Sequence, residues 1–280
     1  MEFVILDLEW NNGFCKKTQS NFNEIIEFGA VRLDENMTIT DRFSILVKPD
    51  ITKHIAPMVQ KLTSITDEEL QKGVPFTYAL SKFKKFMNDA VLMSWSTSDI
   101  KTLEANCEYY FKSERITFLK YYVDLQSYCH DMLGLTEDDS LSLISAAEQL
   151  NINTYGINHH RAIEDCMLAA ECLKKLYLRQ AILCYIKKAD NDFYERMNFH
   201  GNYISGSDNP LVDLKGIFFN CDLCGSRCKR IKKWESKNKA FYSVFKCPEC
   251  GNHFKGKLTL KKKYDCIVRT KHIVSRDISV

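Results

Sequence analysis

The sequence predicts an α/β domain followed by a small domain organised around cysteines. Three strand patterns separated by short turns predict an antiparallel meander at residues 2–10, 24–33 and 41–47. Helical and strand patterns then alternate, with a helix, a strand, a helix and a strand at residues 76–89, 91–95, 98–111 and 120–124. The longest helical pattern covers residues 160–188 and completes the predicted α/β sandwich.

Two acidic residues interrupt the first strand pattern, the apolar run from Phe3 to Trp10. Asp7 and Glu9 are two residues apart, so in a strand their carboxylates point the same way while Leu6 and Leu8 pack behind them. A buried strand that carries two acids requires a cation to offset the cost of burying charge. The pair indicates a divalent-metal site, and the alternative is a strand end whose acids reach solvent.

Three residues farther along the chain complete a set of candidate functional groups. Asp99 lies in the first turn of the helix that follows the 91–95 strand. His160 and Asp165 are five residues apart, about 140° around a helix, so they would diverge if both were helical. They converge if His160 lies in the loop just before the helix and Asp165 lies in its first turn.

These residues resemble the signature of the DEDDh 3′–5′ exonucleases, a branch of the ribonuclease-H-like superfamily. The resemblance covers residues 1 to about 180, and within the family the sequence is most similar to ERI-type and sporulation-inhibitor-type members. It implies a ribonuclease-H-like mixed sheet flanked by helices. Five signature positions have counterparts here, namely Asp7, Glu9, Asp99, His160 and Asp165.

The candidate metal ligands are four carboxylates, and no thiolate is among them. Such a set favours a hard cation, Mg²⁺ or Mn²⁺. Two such ions would activate water, neutralise the phosphoryl oxygens and stabilise the leaving 3′-oxygen. The resemblance implies that Asp7 bridges both ions, that Glu9 and Asp165 hold the ion that activates water, and that Asp99 holds the second. His160 would be the general base, because imidazole titrates near neutral pH. Without its neighbouring motif, His160 would be interpreted as a hydrogen-bonded loop histidine.

Trp10 and Asn11 follow the first motif directly and are candidate substrate-binding residues. Trp10 could stack under the terminal base, since aromatic stacking tolerates any sequence. A core tryptophan is an equally good interpretation. The sugar preference depends on the pocket around both residues.

The second domain is predicted from two Cys-x-x-Cys-Gly segments about two dozen residues apart. Four thiolates at this spacing resemble a zinc ribbon, in which they bind one structural Zn²⁺ tetrahedrally. A disulfide framework is disfavoured, since the N-terminus lacks a secretory signal pattern. Cys228 and His253 are close enough to be substitute ligands, but bystanders are the preferred interpretation. The predicted zinc ligands are Cys221, Cys224, Cys247 and Cys250.

The ribbon is strongly basic. Residues 215–263 contain fourteen Lys or Arg and three acids, a net charge of +11, whereas the whole chain carries +3. Basic side chains interleaved with aromatics suit phosphate contacts and base stacking, and the alternative is a solvated basic surface over a small β core. The candidate substrate-binding residues beside the first Cys pair are Arg227, Lys229, Arg230, Lys232 and Lys233.

The expected organisation is an exonuclease domain at 1–188, a linker at 189–214, a basic zinc ribbon at 215–263 and a C-terminal tail or terminal strand at 264–280. The chain has twelve cysteines, and most of them are scattered among helical or strand patterns, which suggests a reducing, intracellular and cytoplasmic location. We expect no membrane contact, because no stretch is long and apolar enough.

The main functional hypothesis is two-metal hydrolysis that releases nucleoside monophosphates from single-stranded 3′ ends, with RNA slightly favoured over DNA. The alternative is a nucleic-acid-binding or protein-recruiting adaptor that uses the ribbon. A protein partner at the ribbon and a homodimer both stay open.

Overall fold

The computed structural model describes residues 1–113, 115–136, 139–154, 160–206 and 208–275. The chain divides into two compact units, Met1–Met197 and Asn198–Val280. Each unit has its own sheet and its own apolar clusters. No helix within the described residues has the length and apolar character needed to cross a membrane.

The first unit contains the predicted meander and then alternates between helices and strands. Its strands are β1 (Phe3–Cys15), β2 (Ser20–Leu33), β3 (Ile39–Leu46), β4 (Val91–Ser94), β5 (Tyr121–Asp124) and β6 (Lys187–Lys188). Its helices are α1 (Pro57–Thr63), α2 (Asp67–Gln71), α3 (Phe76–Met87), α4 (Ser98–Phe111), α5 (Leu125–Met132), α6 (Leu143–Gln149), α7 (Ala162–Leu176), α8 (Arg179–Tyr185) and α9 (Asn191–Asn198).

These strands form one mixed sheet in the order β3-β2-β1-β4-β5-β6. The β1–β2 and β2–β3 pairs are antiparallel, whereas β1–β4 and β4–β5 are parallel. The predicted meander is therefore confirmed, and β1 and β2 extend beyond their expected ends because they form a long hairpin. The carboxyl ends of β1 and β4 meet at one edge of the sheet, where loops and helix starts gather functional groups.

Both faces of the sheet are covered by helices, as the fold class predicts. Alternate side chains of β1 point to opposite faces. Phe3 and Ile5 belong to a core that includes residues of α5, α6, α7 and α8. Val4, Leu6 and Leu8 belong to the other core, with residues of α3, α4 and α9. Asp7 and Glu9 continue the Phe3 and Ile5 face.

The single long helix predicted over 160–188 is wrong. The structure has two helices, α7 and α8, because Tyr177 and Leu178 adopt extended backbone between them. The hydroxyl of Tyr128 donates to the Leu176 carbonyl at 2.8 Å and accepts from the Leu178 N–H at 3.0 Å. A tertiary partner thus satisfies the backbone groups that the interrupted helix leaves free, and apolar periodicity does not reveal such a partner.

The segment expected as a linker, 189–214, contains secondary structure that belongs to both units. Phe193 and Tyr194 of α9 are buried in the first unit, and the Phe193 ring lies 4.3 Å from that of Tyr122. Ile204 is buried in the second unit and pairs with Leu260. A few buried anchors give this segment its structure despite its turn-rich composition.

The second unit is a β-structure that carries the four cysteines. Its strands are β7 (Tyr203–Ile204), β8 (Lys229–Arg230), β9 (Glu235–Lys237), β10 (Ala240–Lys246), β11 (His253–Lys262) and β12 (Ile267–Ser275). All of them join one sheet, with β11 between β10 and β12. The segment expected as a tail or terminal strand, 264–280, therefore contains a strand paired antiparallel with β11, and residues 276–280 lie outside the described residues.

Candidate active site and zinc site

Asp7 and Glu9 lie on the face of β1 that α7 covers. In the β1–β2 register, Asp7 is opposite Gly29 and Glu9 is opposite Glu27. The register shifts between Glu9 and Trp10, so a bulge follows the two acids directly. Bulges are common beside active sites, where they end regular pairing and redirect side chains.

Asp99 reaches the same place from the start of α4. The last β1–β4 pair is Ile5 with Met93, so β1 continues beyond β4. The backbone N–H of Leu8 donates instead to Asp99 Oδ1 at 3.1 Å. Asp99 is buried, with 6% of its surface exposed. A hydrogen bond to the strand therefore fixes this carboxylate beside the two acids of β1.

His160 and Asp165 converge at the start of α7. His160 lies in the turn before the helix with a φ of +67°, and Asp165 lies in the first helical turn. The His160 backbone N–H donates to Asp165 Oδ2 at 3.2 Å. A ring nitrogen of His160 and one carboxylate oxygen each of Glu9 and Asp165 lie within 4.8 Å of one another. The left-handed backbone is uncommon for a non-glycine residue and is found at functional sites.

Gly29 permits α7 to approach the sheet beside Asp7. A Cβ at this position would overlap the Ala162 carbonyl carbon and the Ile163 nitrogen. Glycine is needed here because backbone packs directly on backbone. The contact brings the first turn of α7, with Asp165, next to β1.

Glu27 and Arg161 also belong to this region, although the sequence motifs did not predict them. Glu27 is fully buried and accepts from Arg161 Nη2 at 2.8 Å, from Arg161 Nε at 3.1 Å and from the Ala162 N–H at 3.3 Å. A bidentate pair of this kind fixes both orientation and position. An acid inside the apolar run 25–28 was the available signal, the same one that identified Asp7 and Glu9.

The carboxylates raise one another's pKa values. Burial raises the pKa of Asp7 well above its usual range, and the neighbouring Asp99, Glu9, Asp165 and Glu27 raise it further. Burial, followed by the charges of the other acids, raises the pKa of Glu9 to about 8. Burial raises the pKa of Asp99 to about 7, although the Leu8 N–H opposes the shift. A cation in this cluster would reverse these effects because it favours the ionised forms.

Trp10 and Asn11 have different environments. Trp10 is half-buried and packs against the core beneath β1, but it also lines a cleft of about 550 Å³ with residues such as Ser98 and Lys101. Asn11 is 1% exposed, and its amide bonds the His54 carbonyl at 3.0 Å and the Ala56 N–H at 2.9 Å. The Asn11 side chain therefore holds the loop at 54–56, and its predicted contact with substrate stays a prediction.

The second unit brings its four predicted ligands together. The sulfur atoms of the four cysteines all lie within 4.8 Å of one another, and the shortest sulfur–sulfur distances are 3.4–3.7 Å. A disulfide requires about 2.05 Å. Zn–S bonds of about 2.3 Å place tetrahedral sulfurs about 3.8 Å apart. The separations therefore fit one zinc ion. The four residues are Cys221, Cys224, Cys247 and Cys250.

Backbone geometry around the cysteines supports a closed metal site. Gly225 and Gly251 have φ values of +75° and +74°, and their N–H groups donate to the carbonyls of Cys221 and Cys247. The N–H of Cys250 lowers the pKa of Cys247. Within the described residues, the metal-binding group includes neither Cys228 nor His253.

The basic run beside the first Cys pair does not form one patch. Arg227 lies over the Phe218 ring at 4.2 Å, and Arg230 lies over the Trp234 ring at 5.7 Å. Lys229 pairs across the sheet with Lys246. Lys232 and Lys233 line a cavity together with Tyr242 and Lys255. Arg227 and Arg230 therefore pack over aromatic rings, and the predicted substrate contacts of the five residues stay predictions.

Comparison with known proteins identifies the family. Residues 4–173 match the family model described as Exonuclease, of the RNase T type. The chain belongs to this exonuclease family. The DEDDh-type resemblance stated from the sequence is thereby confirmed, and so is the ribonuclease-H-like fold class.

Curated relatives share the exonuclease region within much longer proteins. The chain is 28% identical over 217 residues to the PolC-type DNA polymerase III of Clostridium perfringens, covering 77% of this chain and 13% of that protein. It is 25% identical over 179 residues to the 3′-5′ exonuclease DinG of Staphylococcus epidermidis, covering 62% of this chain and 18% of that protein. The chain thus spans less than a fifth of either relative.

A solved structure shows the same fold. The nuclease domain of 3′hExo, described as a DEDDh family member bound to rAMP, is superposed with a TM-score of 0.56. The sequences are 20% identical, and the match covers 68% of this chain and 96% of that domain.

We predict that Arg161→Ala lowers the free energy of unfolding by about 3–5 kcal/mol, because it leaves the buried Glu27 carboxylate without its cation. Arg161→Ala combined with Glu27→Gln should lose clearly less than the sum of the single changes. Urea unfolding of the four proteins at neutral pH measures this coupling. Additive losses would contradict a specific pair. The matched control is Arg32→Ala, which removes an ion pair whose acid, Glu2, is exposed.

We also predict that the protein without Mg²⁺ becomes less stable as pH rises. The folded pKa of Glu9, about 8, is above its ordinary value of 4.5, so this group's stabilising contribution is complete below pH 4.5 and is lost as pH rises through 8. Thermal unfolding should show a lower Tm at pH 9 than at pH 6. Addition of Mg²⁺ should raise the Tm more at pH 9 than at pH 6. Glu9→Gln should flatten the profile; an unchanged profile would contradict the assignment.

Proposed function

We propose that this chain is a metal-dependent 3′–5′ exonuclease that releases nucleoside monophosphates from single-stranded ends. The observation that carries the proposal is the group of mutually repelling carboxylates beside His160 at one edge of the sheet. Membership of the exonuclease family supports the reaction class. We propose RNA as the preferred substrate, on the resemblance to ERI-type members.

The donor set fits hard divalent cations. It consists of carboxylates without thiolates, and its acids hold raised pKa values that a cation would lower. Asp7, Glu9, Asp99 and Asp165 would hold two Mg²⁺ or Mn²⁺ ions. When bound, these ions would supply an activated water and neutralise charge on the phosphoryl and leaving oxygens.

The protein's own groups then have defined tasks. His160 accepts the proton of the attacking water at a ring nitrogen, since its ring lies beside Glu9 and Asp165. The pairing of Glu27 with Arg161 and the Ala162 N–H holds the start of α7, and with it His160, at the sheet. Trp10 stacks on the terminal base from the cleft beside β1.

We propose that the second unit binds one structural Zn²⁺ through its four cysteines and contributes affinity for nucleic acid. A unit this small gains much of its folding free energy from the metal. Its charge supports an anionic ligand, because residues 215–263 carry fourteen basic and three acidic side chains.

The proposal predicts stepwise shortening of 5′-labelled single-stranded RNA and DNA with Mg²⁺ or Mn²⁺, resolved on a denaturing gel. Asp7→Asn and His160→Ala should each slow shortening by about a hundredfold or more, since they remove a metal ligand and the general base. Glu68→Gln, which neutralises an exposed acid, is the matched control and should shorten both substrates at the wild-type rate.

The faster ladder identifies the preferred sugar. If the labelled oligonucleotide keeps its full length with folded, zinc-loaded wild-type protein, the catalytic proposal is contradicted and the adaptor alternative is favoured. Shortening that survives Asp7→Asn would place the chemistry elsewhere.

A further inference from the structure

The sheet of the second unit has two chemically different faces. Side chains alternate along β11, so Phe254, Leu258 and Leu260 point to one side. These residues are buried in the two apolar cores of the unit, together with Phe241 and Phe245 of β10. The intervening positions of β11 are partly exposed, and lysines occupy several of them.

The opposite face presents lysines and tyrosines. Cross-strand pairs place Tyr242 opposite Lys257, Lys246 opposite His253, and Tyr203 opposite Lys261. Glu235, opposite Tyr242 on β9, adds one negative charge. The lysine–tyrosine face is defined here by Tyr203, Tyr242, Lys246, Lys255, Lys257 and Lys261.

A cavity of about 320 Å³ opens on this face. It is lined by Tyr242, Lys255, Lys232 and Lys233, among others. The Lys255 ammonium lies 5.1 Å from the centroid of the Tyr242 ring. The Ser243 hydroxyl donates to the Lys232 carbonyl at 2.6 Å and so ties the lysine-bearing loop to β10. The cavity therefore combines one aromatic residue with three lysines and one acid, Glu235, so that its lining carries a net positive charge.

A second lysine and tyrosine repeat this combination farther along the same strand. The Lys261 ammonium lies 5.7 Å from the centroid of the Tyr203 ring, and 47% of the Tyr203 surface is exposed. Lys255 and Lys261 are six residues apart on β11, a distance of about 20 Å in a strand. An extended polyanion with planar groups along its length could contact both pairs.

We propose that the lysine–tyrosine face binds single-stranded nucleic acid, with the lysines on successive phosphates and a base stacked on Tyr242 in the cavity. Charge complementarity selects a polyanion, and the two rings select one with unpaired bases. An acidic peptide would use the lysines but gain little from the rings. The substrate class rests on the proposed exonuclease function, whereas the surface is argued from the second unit alone.

The test measures anisotropy of a 5′-fluorescein single-stranded oligonucleotide against the full chain carrying Asp7→Asn, over a range of NaCl concentrations. Lys255→Ala with Lys257→Ala should weaken binding about tenfold and reduce the slope of log K against log salt by about 1.4, since two phosphate contacts are lost. Lys215→Ala with Lys239→Ala removes the same charge from exposed positions off this face and is the control.

Tyr242→Ala should weaken binding about tenfold, while Tyr242→Phe, which keeps the ring, should bind as the parent does. Zinc content and circular dichroism confirm that each variant is folded. Equal weakening by the two lysine pairs would overturn the proposal, because charge alone would then explain binding. A polyglutamate peptide that competes as well as the oligonucleotide, with Tyr242→Ala silent, would also overturn it in favour of a protein partner.

Shortening of the oligonucleotide by the wild-type chain is recorded separately. Binding that depends on this face without any shortening supports the surface and rejects the exonuclease proposal. Shortening with binding that ignores the face rejects the surface and leaves the exonuclease proposal standing.

Discussion

The central constraint on the first unit is the free-energy cost of burying several carboxylates close together. Asp7, Glu9 and Asp99 all have raised pKa values, because burial and mutual repulsion disfavour their charged forms. Glu27, fully buried beside them, is ion-paired with Arg161. Such an arrangement opposes folding at neutral pH and indicates a candidate cation site. In the proposed function, a divalent ion held by these carboxylates would offset the stability that their burial costs.

Sheet topology explains how residues so distant in sequence meet. β1 extends past the end of its parallel neighbour β4, and its free Leu8 N–H binds Asp99. Gly29, opposite Asp7, lets the start of α7 pack on the sheet backbone, which brings in Asp165 and His160. The Arg161–Glu27 pair then holds the turn between the histidine and the helix. Each of these three contacts fixes the position of the backbone, so the geometry of the site depends on the fold more than on any single loop.

Much of this was predictable from sequence, since strand alternation placed Asp7 and Glu9 together and spacing placed His160 before a helix. The misses have physical causes. Apolar periodicity continued through Tyr177 and Leu178, because the Tyr128 hydroxyl that interrupts the helix is about 50 residues away. Strand alternation did not reveal that a bulge after Glu9 and the loop at 54–56 bury Asn11, which lies two residues beyond Glu9. The spacing of the basic run at 227–233 did not reveal that its strand sends the neighbouring side chains of Lys229 and Arg230 to opposite faces.

The most direct test of the central claim is calorimetric titration of the zinc-loaded chain with Mn²⁺ near pH 7.5, in two buffers with different ionisation enthalpies. We predict saturable binding with net proton release, because a cation must displace protons from carboxyls such as Glu9, whose pKa is raised to about 8. Asp7→Asn should abolish most of the binding. Binding without proton release, or binding that is unchanged in Asp7→Asn, would contradict the claim that these carboxylates form a divalent-metal site.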